Sequence, residues 1–250
     1  MPIRFMQIQM NKHILSHIIH SKKAGKKLLA ILLDPDKVDL SEVPVLAQKI
    51  TANADFVFVG GSTVSNGDTE KLVKKLKAHT TIPIVLFPGD YSQITKHADA
   101  ILFLSLLSGE NPEYLIKQQL KSVPFLQELP LEIIPTGYIL VQGGTETSVQ
   151  KVSNTTPIDA GNILRISHTA LAGMYMGKQL IYLEAGSGAK SPININIIGA
   201  VRKELSIPLI VGGGIRTKEQ LNDAYNAGAD IVVIGTAFEE NIQLLDNLYT

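Results

Sequence analysis

The sequence contains no cysteine and no tryptophan, its charges cancel, and it has no apolar run long enough to cross a bilayer. The absence of thiols excludes disulfide bridges and thiolate metal centres; it fits a reducing compartment, so a cytoplasmic protein is expected. Lys plus Arg and Asp plus Glu number 23 each, which removes the positive field that nucleic acids require, and no nucleic-acid partner is expected. The longest apolar stretch, Ala100 to Leu107, falls far short of the roughly 18 residues of a spanning helix. A transmembrane protein is not expected; transient contact with a membrane surface stays open. Residues 1–27 lack the uninterrupted apolar segment and the small-residue cleavage site of a signal peptide.

What the chain does have is apolar mass in short pieces. Hydrophobic residues make up 45% and charged residues 18% of the 250 positions, enough for a large core and, at this length, for a single α/β barrel domain over residues 1–250. Eight segments rich in aliphatic and β-branched residues recur along the chain: LLAILLD, DFVFVGG, IPIVLFPG, AILFLSLL, LEIIPTGY, LIYLEAG, IPLIVGGG and DIVVIGT. Such nearly continuous apolarity is what strands covered on both faces need. Helical spacing fills intervals between them, from Leu40 to Ile50, Thr69 to Ala78, Pro112 to Leu120, Ile193 to Leu205 and Lys218 to Ala227. The alternation predicts parallel βαβ units closing into a (β/α)8 TIM barrel, with an open doubly wound sheet as the alternative. Echoes between TTIPIVLFPG and LSIPLIVGGG, and between ADFVFVGGS and ADIVVIGTA, give modest support.

Two intervals break the rhythm. Between the third and fourth strands, GDYSQITKHAD has room for a turn or two, so the third barrel helix should be reduced. Between the fifth and sixth, VQGGTETSVQKVSNTTPIDAGN is long and polar, in the manner of a lid, before a helix from Ile166 to Gly177. The first 24 residues read as an extra N-terminal helix that plugs the barrel bottom.

The loops after the strands carry the unusual residues. Gly212, Gly213 and Gly214 precede a helix with Thr217 as its N-cap, and the eighth strand ends in Gly235 and Thr236 ahead of another. Converging backbone N–H groups favour a phosphate there, where many barrels hold one; the alternative is that these glycines only permit tight turns. The sixth strand leads from Tyr182 through Glu184 to Gly186, Ser187 and Gly188. Glu184 should face the mouth, placed to take a proton from a hydroxyl beside a phosphate ester, unless it forms a salt bridge inside the barrel. Tyr182 shares its face, as a hydrogen-bond donor or as packing. Asp34 and Ser62 end the first two strands, and their hard oxygens suit a Mg2+ that bridges to substrate phosphates; Asp-Pro is otherwise an ordinary loop opening. None of the six histidines is read as a metal ligand, and His168 reads as helix surface.

In order, LLDPDK, FVGGST, YLEAGSGA, VGGGIR and VIGTA resemble the motifs of the geranylgeranylglyceryl phosphate synthase family, the PcrB-like prenyltransferases, over about Leu28 to Glu239. The resemblance implies an enzyme of lipid biosynthesis in which the 3-hydroxyl of sn-glycerol 1-phosphate displaces diphosphate from a polyprenyl diphosphate, here geranylgeranyl diphosphate, and forms an ether. It implies Mg2+ held by Asp34 and Ser62, and glycerol 1-phosphate held by Tyr182, Leu183, Glu184, Ala185, Gly186, Ser187, Gly188, Gly213, Gly214, Gly235 and Thr236. Glu184 would act as the base with Tyr182 beside it. A reduced third helix would open an apolar groove for the prenyl tail, with Tyr91, Phe103 and Tyr138 as candidates to limit its length. The family also implies a homo-oligomer, a dimer or a hexamer. Some bacterial members carry lysine two positions before the metal aspartate; Leu32 stands there in this chain, which resembles more closely the other, geranylgeranyl-using branch with DPDK and EAGSG. A sugar-phosphate isomerase barrel, a longer prenyl donor and a catalytically idle phosphate-binding barrel are the alternatives.

Overall fold

The computed structural model describes residues 13–65 and 67–245. All eight expected strands form: β1 (Leu28–Leu33), β2 (Phe56–Val59), β3 (Ile84–Leu86), β4 (Ala100–Leu106), β5 (Glu132–Leu140), β6 (Leu180–Glu184), β7 (Leu209–Gly212) and β8 (Ile231–Ile234). Each pairs in parallel with the next, and β8 pairs with β1, so the sheet closes into the expected barrel rather than an open sheet. The outer layer contains α2 (Val43–Asn53), α3 (Asp68–Lys77), α4 (Gln118–Leu126), α6 (Ile163–Tyr175), α7 (Ile195–Glu204) and α8 (Lys218–Ala227), and α9 (Thr236–Glu240) follows the last strand.

Strand alternation builds two cores. Inward side chains such as Ala30, Phe56, Phe58, Leu102, Ile134, Tyr182 and Ile210 fill the barrel, while Ile31, Val57, Ile101, Leu183 and Val211 pack against the helices. The bottom is closed by α1 (Ile14–Lys23), whose Ile14 and Ile18 join the interior cluster. Glu132, at the first position of β5, accepts the backbone N–H groups of Ile14 at 2.8 Å and Leu15 at 3.1 Å. This carboxylate satisfies two of the free amides of the helix start and complements its dipole. The expected plug therefore exists; the part of that expectation falling on residues 1–12 lies outside the described residues.

The gap between β3 and β4 holds only a 3-10 turn, Tyr91–Gln93, so the reduced third helix is observed. Buried Gln93 pins this stub to the β2 loop: its Nε2 donates to Gly61 O at 2.8 Å, and Gly61 N donates to its Oε1 at 3.3 Å. The long stretch before α6 is more ordered than its polarity suggests. It contains α5 (Ser148–Ser153), started by a reciprocal cap in which Thr147 Oγ1 accepts from Gln150 N and Gln150 Oε1 accepts from Thr147 N. A single turn, Glu113–Lys117, with wider π-type hydrogen bonding precedes α4.

Truncating the plug should separate stability from function. Ile18→Ala empties a site that is 2% exposed and should cost about 2–4 kcal/mol in urea unfolding, while ligand affinity at the opposite end stays at the wild-type value. Affinity falling in step with stability would place α1 in the functional half of the barrel.

Candidate active site

The C-terminal ends of the strands surround a polar pocket that contains Asp34, Lys37, Ser62, Glu184, Gly213, Gly214, Gly235 and Thr236. The parity of each strand selects these residues. Inward positions of β6 run Leu180, Tyr182 and Glu184, so the carboxylate stands at the barrel mouth with 6% exposure. The same parity sends Leu183 and Ala185 outward into the helix layer, where both are buried. Their side chains do not line the pocket, and the expectation that they bind substrate is corrected to that extent: on a strand two residues apart share a face, and neighbours do not.

Glu184 is boxed in by backbone. Its Oε1 accepts the Gly186 N–H at 2.7 Å, and a Cβ on Gly213, whose φ is +84°, would overlap the same oxygen. Glycine is thus demanded there both by the left-handed backbone and by the close approach. Desolvation dominates the titration of this carboxyl and pushes its pKa up to about 7, against the opposing pull of the Gly186 amide and the Tyr182 hydroxyl. Glu184 is a carboxyl poised to exchange a proton near neutrality; the salt-bridge alternative is not what forms, since the described ion pairs leave it out.

Tyr182 is fully buried, 5.3 Å in ring centroid distance from both Tyr138 and Phe87. Its hydroxyl lies beside Glu184 and favours the charged carboxylate, yet makes no well-formed hydrogen bond. Burial and then Glu184 raise its pKa well above the ordinary tyrosine value. It stays a neutral hydroxyl, and of the two sequence readings of Tyr182 the packing group is the one that describes its surroundings.

The glycine clusters converge. Ser187 Oγ and Thr236 Oγ1 are 3.0 Å apart, joining the loop after β6 to the start of α9, with Gly186, Gly188, Gly213, Gly214 and Gly235 around the same pocket. Across it, Asp34 and Ser62 share the wall with Gly61, where a Cβ would stand 2.8 Å from Asp34 Oδ1. One carboxylate and one hydroxyl suit a hard cation that keeps waters and shares substrate oxygens; no cluster of three or more Asp, Glu, His or Cys forms a preassembled cage among the described residues.

Two charged residues here had no role in the sequence reading. Glu239 on α9 accepts the Asp34 N–H at 3.0 Å and pairs with Lys37 at 3.1 Å, and Lys37 Nζ is 3.5 Å from Asp34 Oδ2. Desolvation lowers the Lys37 pKa, but Glu239 and then Asp34 outweigh it and the net shift is upward. The motif DPDK marked the loop, but only folding brings a helix roughly 200 residues away onto it.

Beside the polar pocket, an apolar groove of about 800 Å3, its open mouth included, fills the gap left by the missing helix. Ser62, Phe87, Tyr138 and Val149 line both spaces. Of the three aromatic residues singled out in the sequence, Tyr138 stands at the junction, Phe103 on the groove wall, and Tyr91 at the exposed end, stacked on Phe125 at 5.8 Å.

A model of the PcrB family matches residues 21–249. Geranylgeranylglyceryl phosphate synthase of Zunongwangia profunda is 53% identical over 226 residues, 90% of this chain and 97% of that protein. The synthase of Thermococcus kodakarensis is 40% identical, covering 89% of this chain and 88% of its own. Among solved structures, (S)-3-O-geranylgeranylglyceryl phosphate synthase of Thermoplasma acidophilum, in complex with its substrate sn-glycerol-1-phosphate, superimposes with a TM-score of 0.88 at 34% identity, covering 94% of this chain and 95% of that one.

The raised pKa of Glu184 has a stability signature. The folded value exceeds the ordinary 4.5, so the native state gains from the protonated form below that value and loses the gain as pH rises through about 7. In urea unfolding, Glu184→Gln should therefore gain roughly 2 kcal/mol on wild type between about pH 5 and pH 8. A difference that does not change with pH would assign the carboxyl an ordinary pKa.

Proposed function

The chain belongs to the PcrB family, and from that premise we propose that it is a Mg2+-dependent prenyltransferase joining sn-glycerol 1-phosphate to geranylgeranyl diphosphate by an ether bond, with release of diphosphate. The observation that carries this reading is the pair of spaces sharing Ser62, Phe87 and Tyr138, one polar and floored by Glu184, the other apolar and open where a barrel helix is missing. A reaction between a phosphorylated polyol and a prenyl chain needs both. A sugar-phosphate isomerase has use for the polar space alone.

The glycerol phosphate is assigned to the glycine loops. Gly213, Gly214 and Gly235, with Ser187 and Thr236 beside them, let backbone amides approach the phosphate closely. Its 3-hydroxyl then lies over Glu184. The hydroxyl oxygen bonds to the first prenyl carbon, that carbon's bond to the diphosphate oxygen breaks, the electron pair leaves with diphosphate, and the hydroxyl proton passes to Glu184. A carboxyl with a pKa near 7 is ionised enough to accept the proton and basic enough to hold it. Phe87, Tyr138 and Tyr182 exclude water around the reacting carbon. The Asp34 carboxylate and Ser62 hydroxyl fit as holders of Mg2+, which when bound supplies positive charge against the leaving diphosphate. The homo-oligomer belongs to the same proposal; Leu164, Tyr175 and Met176 leave an exposed apolar surface at α6 that suits self-association.

The test is ether formation from glycerol 1-phosphate and geranylgeranyl diphosphate with Mg2+. Glu184→Gln should bind glycerol phosphate like wild type and turn over roughly 100-fold more slowly or worse; turnover within a few-fold of wild type removes Glu184 as base, and absence of any ether product from wild type removes the function.

Donor length has its own test. Each further methylene buried in the groove contributes about 0.8 kcal/mol, so a stop is needed, and Tyr91 closes the outer end. Tyr91→Ala should raise kcat/KM for a thirty-five-carbon donor about tenfold relative to the twenty-carbon one. A wild type that already prefers thirty-five carbons overturns both Tyr91 as the stop and the geranylgeranyl assignment.

A further inference from the structure

We propose that Lys37 binds the diphosphate group of the prenyl donor and that Glu239 is the residue that positions it, a reading that rests on the prenyl-transfer function above. Lys37 and Arg216 are the two cationic side chains among the described residues lining the polar pocket. Arg216 is already occupied on the glycine-loop side, where its Nη1 donates to Ala189 O at 2.9 Å and Gly214 O at 3.4 Å and ties the loops after β6 and β7 together. On the opposite wall, beside Asp34, Gly61 and Ser62, the protein supplies Lys37 alone.

Asp34 and Glu239 both carry carboxylates that pair with Lys37, so among the described residues Lys37 is the one side chain on this wall whose charge attracts an anion. A diphosphate adds more negative charge, and a point cation held at the entry to the pocket is the group that accommodates it. An ammonium has three donors. Two face carboxylate oxygens, at 3.1 Å on Glu239 and 3.5 Å on Asp34, and the third is free to turn to the half-exposed side of the group.

Glu239 makes the arrangement directional. It is 12% exposed, and its two oxygens hold different parts of one loop, Oε1 the Asp34 N–H and Oε2 the Lys37 ammonium. The nearer carboxylate shares the ammonium with Asp34 and so limits how far Lys37 neutralises its own neighbour. Lys37 stays protonated throughout: the electron pair from the broken carbon–oxygen bond remains on the diphosphate, which accepts a hydrogen bond from the ammonium. Lys37 is 48% exposed, and Glu239→Gln keeps an acceptor for the Asp34 N–H, so both variants should fold and report on the ligand.

Calorimetric titration with inorganic diphosphate, with and without Mg2+, and with glycerol 1-phosphate as control, tests this on the whole chain. Lys37→Gln should weaken diphosphate binding about tenfold or more under both conditions and leave glycerol 1-phosphate within about twofold, whereas Lys37→Arg should retain most of the affinity. Glu239→Gln keeps an acceptor for the Asp34 N–H but releases the ammonium onto Asp34. It should weaken diphosphate binding about threefold, and add nothing in a Lys37→Gln background. Diphosphate affinity unchanged in Lys37→Gln, or lost together with glycerol 1-phosphate affinity, overturns the assignment of Lys37. Additive effects of the two substitutions overturn the positioning role of Glu239. A wild type that binds glycerol 1-phosphate and no diphosphate overturns the transferase reading itself.

Discussion

Nearly all strand residues of this barrel are buried, so side chains alternate between a narrow interior and the helix layer, and the same alternation continues to the point where each strand ends. That constraint decides which groups stand over the mouth. On β6 it turns Tyr182 and Glu184 inward and Leu183 and Ala185 outward. On β1 it carries Ala30 and Leu32 on to Asp34. A shift of one residue in either register would exchange a carboxylate for an aliphatic side chain.

Putting a carboxylate at that position costs the fold something, and the surroundings show how the cost is limited. Glu184 is nearly inaccessible and not paired with a cation. It is compensated by one backbone amide and a neighbouring hydroxyl, which is less than a free carboxylate would find in water. The remaining deficit is the upward pKa shift itself, so the destabilisation and the proposed base function are two descriptions of one desolvated group. On the other wall Asp34 follows the opposite arrangement, partly exposed and flanked by an ammonium.

The missing helix is a second constraint with consequences. A barrel strand needs an outer cover, and between β3 and β4 the cover is one short turn. Gln93 anchors that turn to the Gly61 peptide, so that omission of a helix leaves a lined groove rather than a loose edge. The groove, the polar pocket and the loop bearing Ser62 are mechanically joined through this residue.

The sequence by itself determined the barrel, its eight strands and the short third cover, because these depend on local apolar runs and on how many residues lie between them. It also marked Glu184, Asp34, Ser62 and the glycine turns, since strand ends and glycine clusters are local signals. The helix Ser148–Ser153 was equally local in origin, through the Thr147 and Gln150 cap, but lay hidden in a polar stretch. Tertiary structure alone decided that Leu183 and Ala185 turn away from the pocket, that Gln93 reaches Gly61, and that Glu239 meets Asp34 and Lys37. These contacts join residues from 32 to 205 positions apart or depend on strand register, and only closure of the barrel brings such partners within hydrogen-bonding distance.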